Sequence, residues 1–225
     1  MKAFHGDPNI KQKYMDRVMA HKAADEIIKG KYWENGKGCA VGCTIHSGNH
    51  SDYELELGIP RILARLEDRI FDNLPNELAV SWPVRFLESI QVGSDLSLVW
   101  NRFAHWLLVD PKEGVIRFSK RQKTTEAISE VGNLYLRSLD KSSAPTISEW
   151  RAAADAAAAY AAAAYAADAA YAAAADAADA YAAADAAYAA ADAADAADAA
   201  AAAYARTKAV IRQSEKLLEL LKEAK

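Results

Sequence analysis

The sequence predicts an all-α fold, with an N-terminal multi-helix domain over residues 1–141 and a long Ala-rich helical array over residues 146–225. Three observations carry this expectation. Helix-starting and helix-stopping residues punctuate the first half, and apolar residues recur between them at helical spacing. Residues 151–205 then hold 40 alanines, 8 aspartates, 6 tyrosines and a single arginine, with neither glycine nor proline.

The elements follow in order. Asp7-Pro8 offers a cap and a proline at the first helical position, and Gly30 a stop, so a helix is predicted over residues 9–29. Five glycines between residues 30 and 50 predict a loop-rich segment. Ser51-Asp52-Tyr53-Glu54 matches a capping box for a short helix that Gly58 ends. Pro60 opens a helix with Ile62, Leu63, Leu66, Ile70 and Phe71 on its buried face, stopping before Pro75. Further helices are predicted over residues 82–91, 95–109 and 122–139, with a short extended piece at Val115–Phe118. Ser142-Ser143-Ala144-Pro145 reads as the linker, and Thr146-Ile147-Ser148-Glu149 as a second capping box.

Alanine has the highest helix propensity, so residues 146–225 are predicted helical. As one helix they would span about 120 Å. Tyr160, Tyr171 and Tyr204 share an eleven-residue phase that Tyr165, Tyr181 and Tyr188 do not keep, so no regular coiled-coil repeat is expected. Small alanines allow close helix approach and tyrosines add contact area, which predicts a homo-oligomer assembled through this array. Val210, Ile211, Leu217, Leu218, Leu220 and Leu221 form an amphipathic end, expected to anchor the array on a core.

Charge narrows the partners. Residues 1–150 carry 20 Lys+Arg against 20 Asp+Glu, and residues 151–225 carry 7 against 11. General nucleic-acid binding is not expected without a basic surplus to neutralise phosphates. Eight carboxylates in the Ala-rich stretch make bilayer insertion very costly, so no membrane partner is expected. Met1–Pro8 lacks a signal-peptide apolar region and both cysteines fit a reducing compartment, which predicts the cytoplasm.

The chemistry concentrates in residues 35–50, which hold Cys39, Cys43, His46 and His50. Cys39, Cys43, His46 and His50 are a proper zinc ligand set. Their Cys-x₃-Cys-x₂-His-x₃-His spacing within one run lacks the usual two-element pairing, so no cofactor is expected, with zinc as the alternative. Cys39 after Gly36-Lys37-Gly38 would be a nucleophile with His46 or His50 as base if the protein is an enzyme. A glycine-rich loop with Lys37 beside it would instead hold a small anion, giving Lys37, Gly38, Cys39, Cys43, His46 and His50 as ligand-binding candidates. Packing of both cysteines under a glycine bend is the remaining reading.

The string Tyr32-Trp33-Glu34-Asn35-Gly36-Lys37-Gly38-Cys39-Ala40-Val41-Gly42-Cys43, followed by His46, His50 and an Ala-rich tail, resembles uncharacterised proteins encoded by bacteriophages and bacteria. The resemblance covers most of the chain and carries no catalytic or binding residues onto it. A phage setting implies one idea, the sequestration of nucleotide signals used in host defence. The leading expectation is therefore a non-enzymatic, self-associating helical protein that binds a small anionic ligand. The alternatives are a cysteine-dependent hydrolase or transferase and a purely structural assembly protein.

Overall fold

A computed structural model describes residues 1–119, 122–158 and 199–225. The expected Ala-rich array falls largely on residues 159–198, outside the described residues. The described chain is predominantly helical, with one two-stranded hairpin that the sequence reading did not anticipate. The helices are α1 (Pro8–Ala23), α2 (Ala40–Ile45), α3 (Asp52–Leu57), α4 (Arg61–Asn73), α5 (Asn76–Ala79), α6 (Trp82–Ser89), α7 (Val99–Val109), α8 (Gln122–Arg137), α9 (Ile147–Ala158) and α10 (Ala199–Glu223). Among the described residues, no helix is long and apolar enough to cross a membrane.

The chain divides into two compact units, Met1–Val99 with Val210–Lys225, and Trp100–Ala209. In the first, α2 packs against α1, α4 and α6. All six α2 residues are buried, including Thr44, whose hydroxyl is satisfied by donating to the Ala40 carbonyl at 2.8 Å. Such a short, apolar helix is a core element whose stability comes from tertiary packing.

The segment leading into α2 explains the glycines. Asn35 (φ 52°) and Gly36 (φ 80°) form a two-residue turn between strands β1 (Trp33–Glu34) and β2 (Lys37–Gly38), the left-handed pair that such a hairpin requires. Gly38 also joins a bridge to Ile27, donating its N–H to the Glu26 carbonyl at 3.1 Å and accepting from Ile28 N–H at 2.8 Å. This pairing draws residues 26–28 out of α1. The first helix consequently ends at Ala23 rather than running to residue 29, and Asp25 turns left-handed (φ 54°) to make the exit.

Two other local expectations changed. Ser51 makes no side-chain cap; Glu54 Oε1 instead accepts the Arg61 N–H at 2.9 Å, across Gly58 (φ 63°). Val115–Phe118 is a 3₁₀ turn rather than an extended piece. Asp110 Oδ1 accepts from the N–H groups of Lys112 and Glu113, both at 2.8 Å, which curls the chain before it can extend.

The amphipathic end belongs to the first unit, with Val210, Leu217, Leu218, Leu220 and Leu221 buried and the Lys225 carbonyl accepting from Asp95 N–H at 2.8 Å. In the second unit, α8 packs on α9 and Tyr135 meets Trp150 edge-on at 4.8 Å. The second capping box forms. Glu149 N–H donates to Thr146 Oγ1 at 3.3 Å, Thr146 N–H donates to Glu149 Oε2 at 2.7 Å, and Arg137 holds Glu149 Oε1 at 2.7 Å.

Candidate functional site

The hairpin and α2 distribute the reactive residues of the 35–50 segment to different surroundings. Lys37 is exposed on β2, in register with Glu34. Gly38 is buried with its N–H and carbonyl both engaged. Cys39 is the N-cap residue of α2, only 3% exposed, and its Sγ accepts from Gly42 N–H at 3.4 Å. Burial, and then the adjacent Asp68 carboxylate, push the Cys39 thiol far above its ordinary value. Cys43 donates to the Gly38 carbonyl at 3.3 Å, and burial pushes its thiol up to about 12. Both thiols are thus shifted upward, away from the lowered value that marks an activated nucleophile.

His50 also approaches Asp68, with Nε2 at 3.4 Å from Oδ2, and its ring meets Tyr32 edge-on at 5.5 Å. The fold therefore brings Cys39 and His50 to one carboxylate that the sequence reading did not single out. Next to Asp68, the fully buried Glu67 accepts from Tyr53 O–H at 2.7 Å, while its backbone carbonyl accepts from Trp82 Nε1–H at 2.9 Å. Burial raises the Glu67 carboxyl well above the usual range, and Asp68 adds to that; the Tyr53 hydrogen bond opposes it.

His46 faces a different set of residues. It closes α2 in a left-handed conformation (φ 56°, ψ 35°), donating its N–H to the Gly42 carbonyl at 2.8 Å. Its ring stacks on Trp33 at 4.3 Å and 13°, and meets His21 of α1 edge-on at 5.0 Å. The two imidazoles confront each other through Nε2 and Nε2, 2.8 Å apart. On its far side, His21 Nδ1 contacts Glu26 Oε2 at 2.6 Å. With Nδ1–H donated to that carboxylate, His21 turns a lone pair toward His46.

Arg17, one helical turn before His21, donates from Nη1 to the Thr44 carbonyl at 2.9 Å and lies over the Tyr14 ring at 5.0 Å. Tyr14 in turn donates its hydroxyl to Glu56. His46 titrates below its ordinary value, through burial first and then the neighbouring Arg17 and His21; Glu56 and Glu26 pull weakly the other way. The two carboxylates near the cluster are thus each engaged, Glu56 by Tyr14 and Glu26 by His21.

Cys39, Cys43, His46 and His50 do not converge as one ligand set. Among the described residues, no group of three or more His, Cys, Asp or Glu side chains lies at metal-holding spacing. Sequence reasoning found His46 but passed over Arg17, His21, Glu26 and Trp33. A signal existed, because Tyr14, Arg17 and His21 recur at i, i+3 and i+7 on α1 and so share a face. That they meet the end of α2 is a tertiary fact. A separate open groove of ≈ 500 Å³ between α8 and α9 is lined by Glu126, Ser129, Asn133, Arg137 and Glu149 among others, none of them a sequence-predicted site residue. Compared with known protein families, curated proteins and solved structures, the chain matches none.

Proposed function

We propose that the N-terminal unit is a non-enzymatic module that binds a small anion at the cluster of Arg17, His21 and His46. The observation that supports this most directly is the convergence of three nitrogen-bearing side chains at the end of α2, with His46 exposed on the surface and His21 Nε2 at 2.8 Å from it. Arg17 stands near His46 as a fixed positive charge, which an anion would offset. The loop contributes His46 to this site, while its glycine amides serve the fold. A phosphate-bearing small molecule, nucleotides included, suits a cluster of guanidinium and imidazole donors.

The test is a titration of chelator-treated protein with inorganic phosphate and with a nucleoside monophosphate, followed by calorimetry and by histidine ring NMR. Saturable binding that moves the His21 and His46 signals and is lost in Arg17→Gln is the expected result. Unmoved histidine signals with both anions would reject the reading. Self-association through the Ala-rich segment is part of the same proposal, resting on the 40 alanines and 6 tyrosines of residues 151–205. Light scattering behind size exclusion should report an oligomer, and a monomer at micromolar concentration would remove that part.

A further inference from the structure

We infer that His21 and His46 form a two-histidine site for a divalent transition-metal ion, with Glu26 as the positioning carboxylate. The starting point is the confrontation of the two Nε2 atoms at 2.8 Å. At that separation the two nitrogens either share one hydrogen, with one ring donating N–H to the other, or turn their lone pairs to a common ion lying off the line between them. Metal–nitrogen bonds run about 2.0–2.1 Å. At that length, cis positions of a tetragonal site near 90° hold two nitrogens about 2.9 Å apart, and tetrahedral positions hold them about 3.3 Å apart. The observed spacing matches the first geometry, and a half-ångström opening reaches the second.

The surroundings suit such a site. Glu26 Oε2 lies 2.6 Å from His21 Nδ1, the carboxylate–histidine arrangement that fixes the tautomer and aims Nε2 at a metal. His46 is held from two directions, by its stacking on Trp33 at 4.3 Å and by its left-handed backbone. Imidazole nitrogen is a good ligand for zinc, copper and nickel and a poor one for magnesium or calcium, which sets the class of ion. With two protein ligands, the remaining coordination positions belong to water or an anion. This inference takes the same histidine cluster as the proposed anion site, and there the ion would give the anion a direct bonding position.

The experiment titrates chelator-stripped full-length protein with Cu²⁺ and, separately, Zn²⁺. Calorimetry reads stoichiometry, and for Cu²⁺ electron paramagnetic resonance reads coupling to two nitrogens. One ion per chain is expected, with affinity reduced at least tenfold in His21→Gln and in His46→Asn and unchanged in His50→Gln and Cys39→Ser. Asparagine tolerates the left-handed backbone at position 46, so that variant keeps the fold. Glu26→Gln should weaken binding about 10- to 100-fold, as expected for an outer-shell partner. Absence of a stoichiometric ion, or wild-type affinity in His46→Asn, would overturn the inference. Phosphate binding by the metal-free protein is read separately, so either proposal can fail while the other stands.

Discussion

The carbonyl oxygen of Tyr32 lies 1.5 Å from where a Cβ on Gly42 would stand, and 2.1 Å from where one on Gly38 would stand. Gly42 therefore lets the backbone at Tyr32 lie directly on α2, and Gly38 lets the same carbonyl approach β2.

Gly42→Ala should destabilise the first unit by about 3 kcal/mol or more, because the clash is with backbone that cannot rotate away. Gly38→Ala should act in the same direction. Gly48→Ala meets only the Tyr32 side chain, at 3.1 Å, and should be much milder. Urea denaturation of the three variants checks the ranking.

Glu67 predicts an unusual pH dependence. Its carboxyl is raised in the folded state, so the native protein holds that proton more tightly than the unfolded chain does. The contribution is fully present below the ordinary glutamate range and is lost as pH rises through the native value. The slope approaches about 1.4 kcal/mol per pH unit within that window. Glu67→Gln keeps an acceptor for Tyr53 and abolishes the titration, so its advantage over wild type should grow as pH rises. Denaturation midpoints of both proteins between pH 4 and 9 measure this.

Glu149 has the opposite sign. Arg137, then the N–H and hydroxyl of Thr146, hold its carboxyl down at about 2. Its contribution is present above the ordinary glutamate range and is lost as pH falls toward 2. Glu149→Gln should flatten that acid limb, read by near-UV circular dichroism of the Trp150 environment. Thr146→Ala removes the cap and should cost about 1 kcal/mol.

Cys39 and Cys43 should resist a thiol-specific disulfide reagent in the native protein, since both thiols are buried and raised in pKa. Unfolding in denaturant should release two reactive thiols. Cys39→Ser places a preferred N-cap residue at the start of α2 and should change stability by about 1 kcal/mol or less. Rapid native labelling of Cys39 would contradict this account and revive the nucleophile.

What the sequence alone determined is what neighbouring residues settle between themselves. Asp7 caps α1 by accepting Asn9 N–H at 2.8 Å, Gly58 ends α3 in the left-handed region, and Thr146 and Glu149 close their reciprocal cap. Each interaction joins residues a few positions apart, so motif and structure coincide. The Asn35-Gly36 turn was equally local, but the glycine content around it suggested a loop and hid the hairpin.

Only the tertiary structure decided the rest. Glu67 and Asp68 are polar by type, yet α4 buries both, because its core face is wider than its apolar residues imply. His21 and His46 stand 25 positions apart, and Cys39 and Asp68 stand 29 apart. Their meetings depend on how α1 and α4 pack around α2. Ile27 and Ile28 carry a helical spacing that the first helix does not use, since Gly38 offers them a bridge and ends α1 at Ala23. Local chemistry sets where elements start and stop; the competition for a shared core sets which side chains face one another, and no window of sequence contains that competition.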